Sequence, residues 1–368
     1  MRLASFNVEN LFGRAKVMNL ATWRDGRGVL DAYARFRGLI QKARYSAADK
    51  RAMGKLLGVL GLHGTDEGPY VVLRRNRGQL VRRQGRRLEI VANGRGDWLG
   101  WLDLKEEEVS EAATRNTARV FKELEADVVA VVEAEDRVAL KRFNDELIPR
   151  VGGTPYRHVM LIDGNDRRGI DVGIMCQDGY AITAMRSHVD DLADGEPVFS
   201  RDCPEYAVQL PSGETLWVLV NHLKSRGYGS AKESDAKRRR QAARVRSIYK
   251  TLKRSGANDV AVVGDFNDTP DSDALAPLLR GRELRDVSEH PRFQHDGRPG
   301  TWGNGTATGR FDYILLSSAL WQKVQAAGVL RKGVWGGKNG TLWPHFPEMR
   351  RAEDAASDHA AIWVDIDL

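Results

Sequence analysis

An α/β fold with mixed sheets is predicted by three features of the chain. Short, near-continuous apolar runs recur along it, amphipathic helical stretches separate many of them, and several runs stand in pairs joined by tight turns. Strand, helix and strand in succession predict sheet layers covered by helices. The hairpin-like pairs argue for mixed rather than purely parallel sheets. The clearest run is Val-Ala-Val-Val at 260–263, bounded by Asn258-Asp259 and Gly264, which reads as a buried strand. It delivers Asp265 and Asn267 at its end. In extended backbone residues two apart share a face, so a carboxylate and an amide would aim together off the strand and hold a water and a phosphoryl oxygen. An Asp/Asn turn is the plain alternative.

In chain order, the first strand is residues 3–8, with Leu3, Ser5 and Asn7 on one face with Glu9. Residues 28–40 and 47–60 read as helices, the second capped by Ser46 with Asp49 three residues on. Short strands are expected at 70–74, 79–83 and 88–92, followed by Trp98 and Trp101, and these arginines interleaved with aromatics are compatible with a surface for phosphate and base contacts. A helix at 107–125 with Ser110 as cap leads to the strand 127–133, which ends on Glu133. A glutamate abutting five apolar residues is costly unless paired, and a metal ion or an arginine would pair it. Residues 137–147 read as a helix. Strands follow at 157–161 and 170–175, then at 208–210 and 215–220, the last running into Asn221, His222 and Lys224. The basic helix 232–253 precedes the strand at 260, and strands at 311–316 and 360–366 complete the set, with Ser357-Asp358-His359 just before the last.

Composition bounds the class. With 42% hydrophobic and 29% charged residues among 368, the chain has material for an ordinary core. Two cysteines, Cys176 and Cys203, exclude a disulfide framework and suit a reducing compartment. No run of about 18 apolar residues is present, so no transmembrane segment is expected, and no signal peptide is read at the N-terminus. A cytoplasmic location is the expectation. Nothing points to an obligate protein partner. The net charge of +7 is uneven: residues 13–100 hold 19 Lys and Arg against 7 Asp and Glu, a net of +12, which leaves −5 for the rest. That segment suits a polyanion, or it is a solvated arginine-rich face.

Asn7, Glu9, Glu133, His222, Asp265, Asn267, Asp312, Asp358 and His359 all fall at or beside strand ends. On a shared sheet edge they would meet in one pocket. So many carboxylates need a cation, and an oxygen-rich set without thiolates points to Mg²⁺ or Mn²⁺ rather than zinc.

The ordered set Asn-Val-Glu at 7–9, Glu133, Asn221-His222, Gly264-Asp-Phe-Asn267, Arg310-Phe-Asp-Tyr313 and Ser357-Asp-His359 resembles the endonuclease/exonuclease/phosphatase superfamily, which includes deoxyribonuclease I-like and exonuclease III-like nucleases, inositol polyphosphate 5-phosphatases and neutral sphingomyelinases. The resemblance covers residues 1–12 and about 110–368 and leaves 13–100 as a basic insertion of two helices and short strands within a single catalytic domain spanning 1–368. It implies a four-layer sandwich, two mixed β-sheets packed face to face and flanked by helices. It also implies residue roles. Glu133 matches the principal metal-binding glutamate, with Asn7, Glu9 and Asp358 beside the metal. His359 resembles the catalytic histidine oriented by Asp312, Asp265 the aspartate that positions or deprotonates water, and Asn267 and His222 the groups on the phosphate. Arg168, Asp171, Asn221, Lys224 and Arg310 are the expected substrate-binding residues.

The activity so implied is a divalent-metal-dependent phosphodiesterase. Its leading substrate is DNA or RNA, given the basic insertion, the basic helix and the aromatic-basic loop 335–343. A phosphoinositide or phospholipid head group is the alternative within the class. A non-catalytic nucleic-acid-binding module is the alternative outside it.

Overall fold

The computed structural model describes the chain except Asn10, Phe12, Ala21, Thr22, Arg86, Val109, Arg167 and residues 227–229, and the side chains of Arg14, Met18, Asn19, Trp23, Arg24, Glu107 and Glu108. It forms two compact units, one of Met1–Phe12, Val109–Arg226 and Ser230–Leu368, the other chiefly Gly13–Glu108.

The larger unit holds two mixed sheets. One orders its strands Phe293–Gln294, Val324–Leu330, Ala361–Ile366, Arg2–Asn7, Val128–Ala134, Asp171–Cys176, His158–Ile162. The other runs Ala181–Arg186, Glu205–Gln209, Thr215–His222, Val260–Asp265, Asp312–Ser317, Leu284–Asp286. Arg2–Asn7 lies parallel to Val128–Ala134, and Thr215–His222 parallel to Val260–Asp265; most other pairs are antiparallel. Side-chain alternation explains how the layers close. Leu3, Val128, Ala130 and Val132 of the first sheet and Val218, Val220, Ala261, Val263 and Ile314 of the second share one buried cluster. The opposite faces are covered separately: Phe6, Val129 and Val131 pack with Val120, Phe121 and Leu124 of the helix Glu111–Leu124, and Leu219, Val260 and Val262 pack with Val245, Ile248 and Leu252 of the helix Ala231–Arg254. Helix, sheet, sheet, helix is the four-layer sandwich. Each fully buried aliphatic side chain contributes roughly 1.5–3 kcal/mol to holding it.

The caps read from sequence form. Ser110 Oγ accepts from Ala113 N at 3.0 Å, and Ser46 and Asp49 make a reciprocal capping box. The smaller unit contains the helices Trp23–Ile40 and Ala47–Val59 and two strand pairs, Val71–Gly78 with Trp98–Leu104 and Val81–Gln84 with Arg87–Ile90. Phe36, Met53, Leu57, Leu73, Trp98 and Leu102 build its own core. Trp98 therefore differs from the basic-aromatic surface expected of it: it is 2% exposed and donates to Tyr45 Oη at 3.0 Å, while its neighbour Trp101 points outward at 43%. The strand carrying them pairs back onto Val71–Gly78, and Glu106–Glu108 pairs with Gly13–Ala15, which is why this unit runs on to Glu108. Among the described residues no helix is long and apolar enough to cross a membrane.

Candidate active site

The alternation that fills the core between the sheets also aims the polar strand ends. Asn7 continues the face of Leu3, His222 that of Val218 and Val220, Asp265 that of Ala261 and Val263, and Asp312 that of Ile314. Glu133 breaks the rule. By alternation from Val132 it belongs on the helix side, yet it has φ 68° and stands where the register with Asp171–Cys176 slips, Asp171 pairing with Ala134 and Val172 with Val132. This bulge rotates its carboxylate into the inter-sheet cleft.

There Asn7 Nδ2 donates to Glu133 Oε1 at 3.3 Å and to Asp265 Oδ2 at 3.2 Å, bridging two carboxylates from different sheets. His222 Nε2 stands 3.6 Å from both Glu133 Oε1 and Asp265 Oδ2. His359 Nδ1 is 2.8 Å from Asp312 Oδ2, and its Nε2 faces Asp265 Oδ2 and Asp358 Oδ1, each at 3.9 Å. Asn267 reaches Asp265 through both its backbone N–H (2.8 Å, to Oδ1) and its amide (3.0 Å, to Oδ2). It does so from a left-handed turn at φ 55°, not from the extended backbone expected of it. Glu9, also left-handed at φ 52°, accepts from Asp358 N at 2.9 Å, while Ser357 Oγ donates to Asn7 O at 2.7 Å and ties the last loop to the first strand.

Electrostatics separates the two histidines. Burial opposes a charge on His359, but Asp312, Asp358 and Asp265 overcome it and raise its pKa well above the usual range. His222 is lowered well below it by burial, Arg201 and Arg168, and stays neutral. Asp265 is pushed up to about 7, first by burial and then by Asp312 and Glu133.

Ligand atoms of Glu133, His222 and Asp265 lie within 4.8 Å of one another, as do those of Asp265, Asp312 and His359. Oxygens and imidazole without a thiolate suit a hard divalent cation, because Cys176 and Cys203 are buried and stand in neither group.

The remaining expected residues are placed differently. Asn221 lies on the helix side of its strand, fully buried and donating to Leu219 O at 3.1 Å, so it faces away from the cleft. Adjacent strand residues point to opposite faces, and His222 takes the inward one. Arg310 pairs with Asp286 and Ser288. Arg168 holds Asp166 bidentately at 2.9 and 2.6 Å, beside the buried Arg201. Lys224 Nζ donates to Ser225 O at 3.0 Å, and burial with Arg201 and Arg168 lowers its pKa to about 8. Asp171 accepts from Gly164 N at 2.9 Å, and burial raises it to about 7.

The raised pKa of Asp171 sets a pH dependence. Its folded state keeps a proton that the unfolded chain, titrating near pH 4, has released, so its contribution to stability is full below about pH 4 and is lost as the pH rises through 7. Asp171→Asn keeps the acceptor for Gly164 and removes the buried charge. We expect it to stabilise the protein on the order of 1–2 kcal/mol at pH 8 and to leave it unchanged near pH 4, read from urea midpoints with EDTA present. An unaltered pH profile would contradict this.

Sequence reading missed the groups that hold these residues. Thr301 Oγ1 donates to Asp312 Oδ2 at 2.6 Å, Trp302 Nε1 donates to Asp358 Oδ2 at 2.7 Å, and Arg201 supplies the buried cation. Thr301 and Arg201 carried no signal, since a threonine before a tryptophan and a lone arginine are common anywhere in a chain.

The family model described as Endonuclease/Exonuclease/phosphatase family matches residues 101–323. The chain belongs to this family. Its members are phosphoester hydrolases. The solved mannosyl-6-phosphatase of Bacteroides thetaiotaomicron is 17% identical over 70% of this chain and 92% of its own, with a TM-score of 0.52, and shares the fold. Also similar are truncated TDP2 of Caenorhabditis elegans, 17% identical over 69% of this chain and 90% of that one with a TM-score of 0.48, and the human Nocturnin catalytic domain with bound sulfate, 14% identical over 70% and 86% with a TM-score of 0.48. No match was found among curated proteins.

Proposed function

We propose that this family member is a divalent-metal-dependent nuclease that hydrolyses phosphodiester bonds of DNA or RNA by in-line attack of water. The observation that carries the hydrolytic part is the joining, in one cleft, of Glu133, Asp265 and the His359–Asp312 pair from both sheets. Support for nucleic acid comes from charge: a net of +12 over residues 13–100 and a helix Ala231–Arg254 whose residues 236–254 hold nine cations and no acid.

Glu133 is the main carboxylate for Mg²⁺ or Mn²⁺ in this reading, with Glu9 and Asp358 beside it and Asn7 ordering the carboxylates. The bound cation would neutralise a non-bridging oxygen and stabilise the leaving one. His359, held charged, donates to the phosphoryl group as negative charge grows, and Asn267 and the neutral His222 line the same position. With His359 charged, Asp265 is the acceptor for the water proton, and its raised pKa suits that task near neutral pH. The water oxygen bonds to phosphorus as its proton passes to Asp265, the opposite P–O bond breaks with its electron pair on the departing oxygen, and that oxygen takes up one proton from solvent. Arg168 and Lys224 are positioning groups for the diester. A cytoplasmic location is proposed with it, in keeping with two free buried thiols.

The test is a substrate panel with Mg²⁺, with and without EDTA: plasmid, single-stranded DNA, RNA, a chromogenic diester and inositol phosphates. Metal-dependent strand cleavage is expected. Phosphate release from inositol phosphates with nucleic acids left intact would give the site to the head-group reading. Salt-sensitive binding without turnover of any substrate would leave only a binding module.

A further inference from the structure

The basic helix Ala231–Arg254 begins beside the cleft. Ser230 caps it, and Arg238, fully buried, donates from Nε to Asp268 Oδ2 at 2.8 Å and from Nη1 to Lys224 O at 2.6 Å, next to Asn267 and His222. It ends about 24 Å further on, sixteen residues at 1.5 Å each. Along the second half of the helix, from Ala243 to Arg254, is an open cavity of about 690 Å³ between the helix and the segments carrying Pro277, Glu283 and Ser318. Lys250, Lys253 and Arg254 reach it from the helix, and its one carboxylate, Glu283, is held by Arg246.

These cations are not neutralised by carboxylates among the described residues. Among the described residues neither Lys250 nor Arg240 meets a carboxylate, Lys253 donates only to Asn258 O at 3.4 Å, and Arg254 only to Thr251 Oγ1 at 3.2 Å. The acids of the helix, Glu233 and Asp235, stand in its first turns and are engaged, by the cap and by Arg238. A favourable interaction with the helix dipole accounts for Lys253 and Arg254 in the last turn. It does not account for Lys250 or Arg240, which lie further back.

We propose that this cavity, reached along the exposed face of the helix, is an exosite for the phosphates of a single nucleic-acid strand whose scissile bond lies in the cleft. This deepens the nuclease reading and rests on it for the position of the scissile bond. A concavity of this volume holds a small ligand or a few nucleotides, so one strand enters it and a duplex does not. Lys250 and Arg254 lie about 18 and 24 Å along the helix from Arg238, which corresponds to roughly five to seven nucleotides at about 3.4 Å each, so only longer substrates reach both places.

The double variant Lys250→Gln, Arg254→Gln tests this, since both positions are exposed and glutamine is a good helix former. On a thirty-nucleotide single strand we expect kcat/KM to fall about tenfold through KM, with hydrolysis of a tetranucleotide and of a chromogenic diester unchanged. The slope of log affinity against log salt for the strand should become shallower by about 1.4, or about 0.7 per lost phosphate contact. Equal kinetics on the long strand would overturn the exosite. An equal loss on duplex of the same length would overturn the single-strand assignment, and lost binding to anionic phosphatidylserine vesicles with strand binding intact would give the surface to a membrane instead. If the wild-type protein cleaves no nucleic acid, the nuclease reading fails by itself, and anisotropy of the labelled strand, which needs no turnover, still decides the exosite.

Discussion

His359→Ala is expected to lower turnover at least about a hundredfold while the protein stays folded. The imidazole is held at Nδ1 by Asp312, which is in turn held by Thr301, and its Nε2 is left facing the cleft between Asp265 and Asp358. Loss of the ring removes a charged donor from the place where phosphoryl charge grows. It also leaves Asp312 with Thr301 but no imidazole, and Asp265 without the cation that favours its ionised form. Thr301→Val should give a smaller loss with a shifted pH–rate profile, because it loosens the pair without removing it. A purified, cooperatively folding His359→Ala variant with near-normal kcat would end the assignment of this cleft as the hydrolytic site.

Glu133→Gln is expected to cost at least about a hundredfold in turnover as well, with a second signature that a merely structural role would not give. With metal chelated, Glu133 adds negative charge beside Asp265, while glutamine keeps an acceptor for Asn7 and removes that repulsion. The chelated variant should therefore melt at or above the wild-type temperature. The wild type should gain about 2.7 kcal/mol when Mg²⁺ is raised to a hundred times its Kd, and the variant should gain almost nothing under the same conditions. Paired melting curves with EDTA and with Mg²⁺ check this. An equal Mg²⁺-dependent rise in both proteins would place the metal elsewhere.

Most of the strands and every cap read from the sequence are present, because their signals are local. An apolar run such as 260–263 has no stable alternative to a buried strand, and Ser46 with Asp49 satisfies the first amides of a helix wherever that helix lies. Strands such as Ala181–Arg186 and Val324–Leu330 escaped notice, being short, mixed in polarity or at sheet margins, where pairing rather than composition makes the strand. Trp98 was misread for a related reason: a tryptophan among arginines looks like a contact surface until the strand opposite it is known.

By itself the sequence determined that this is an α/β chain with polar groups at successive strand ends, because hydrophobic periodicity fixes which residues are buried and where each run stops. Six short motifs in order also determined the family. Only the tertiary structure decided which of those groups meet. The bulge at Glu133 turns its side chain across the alternation that local spacing predicts, Glu9 and Asn267 reach the site from left-handed turns rather than from extended backbone, and alternation itself sends Asn221 away from the cleft. Thr301, Trp302 and Arg201 come into contact with the site only through folding, and contacts between residues 11, 56 and 35 apart in the chain leave no periodic pattern within a short window of sequence.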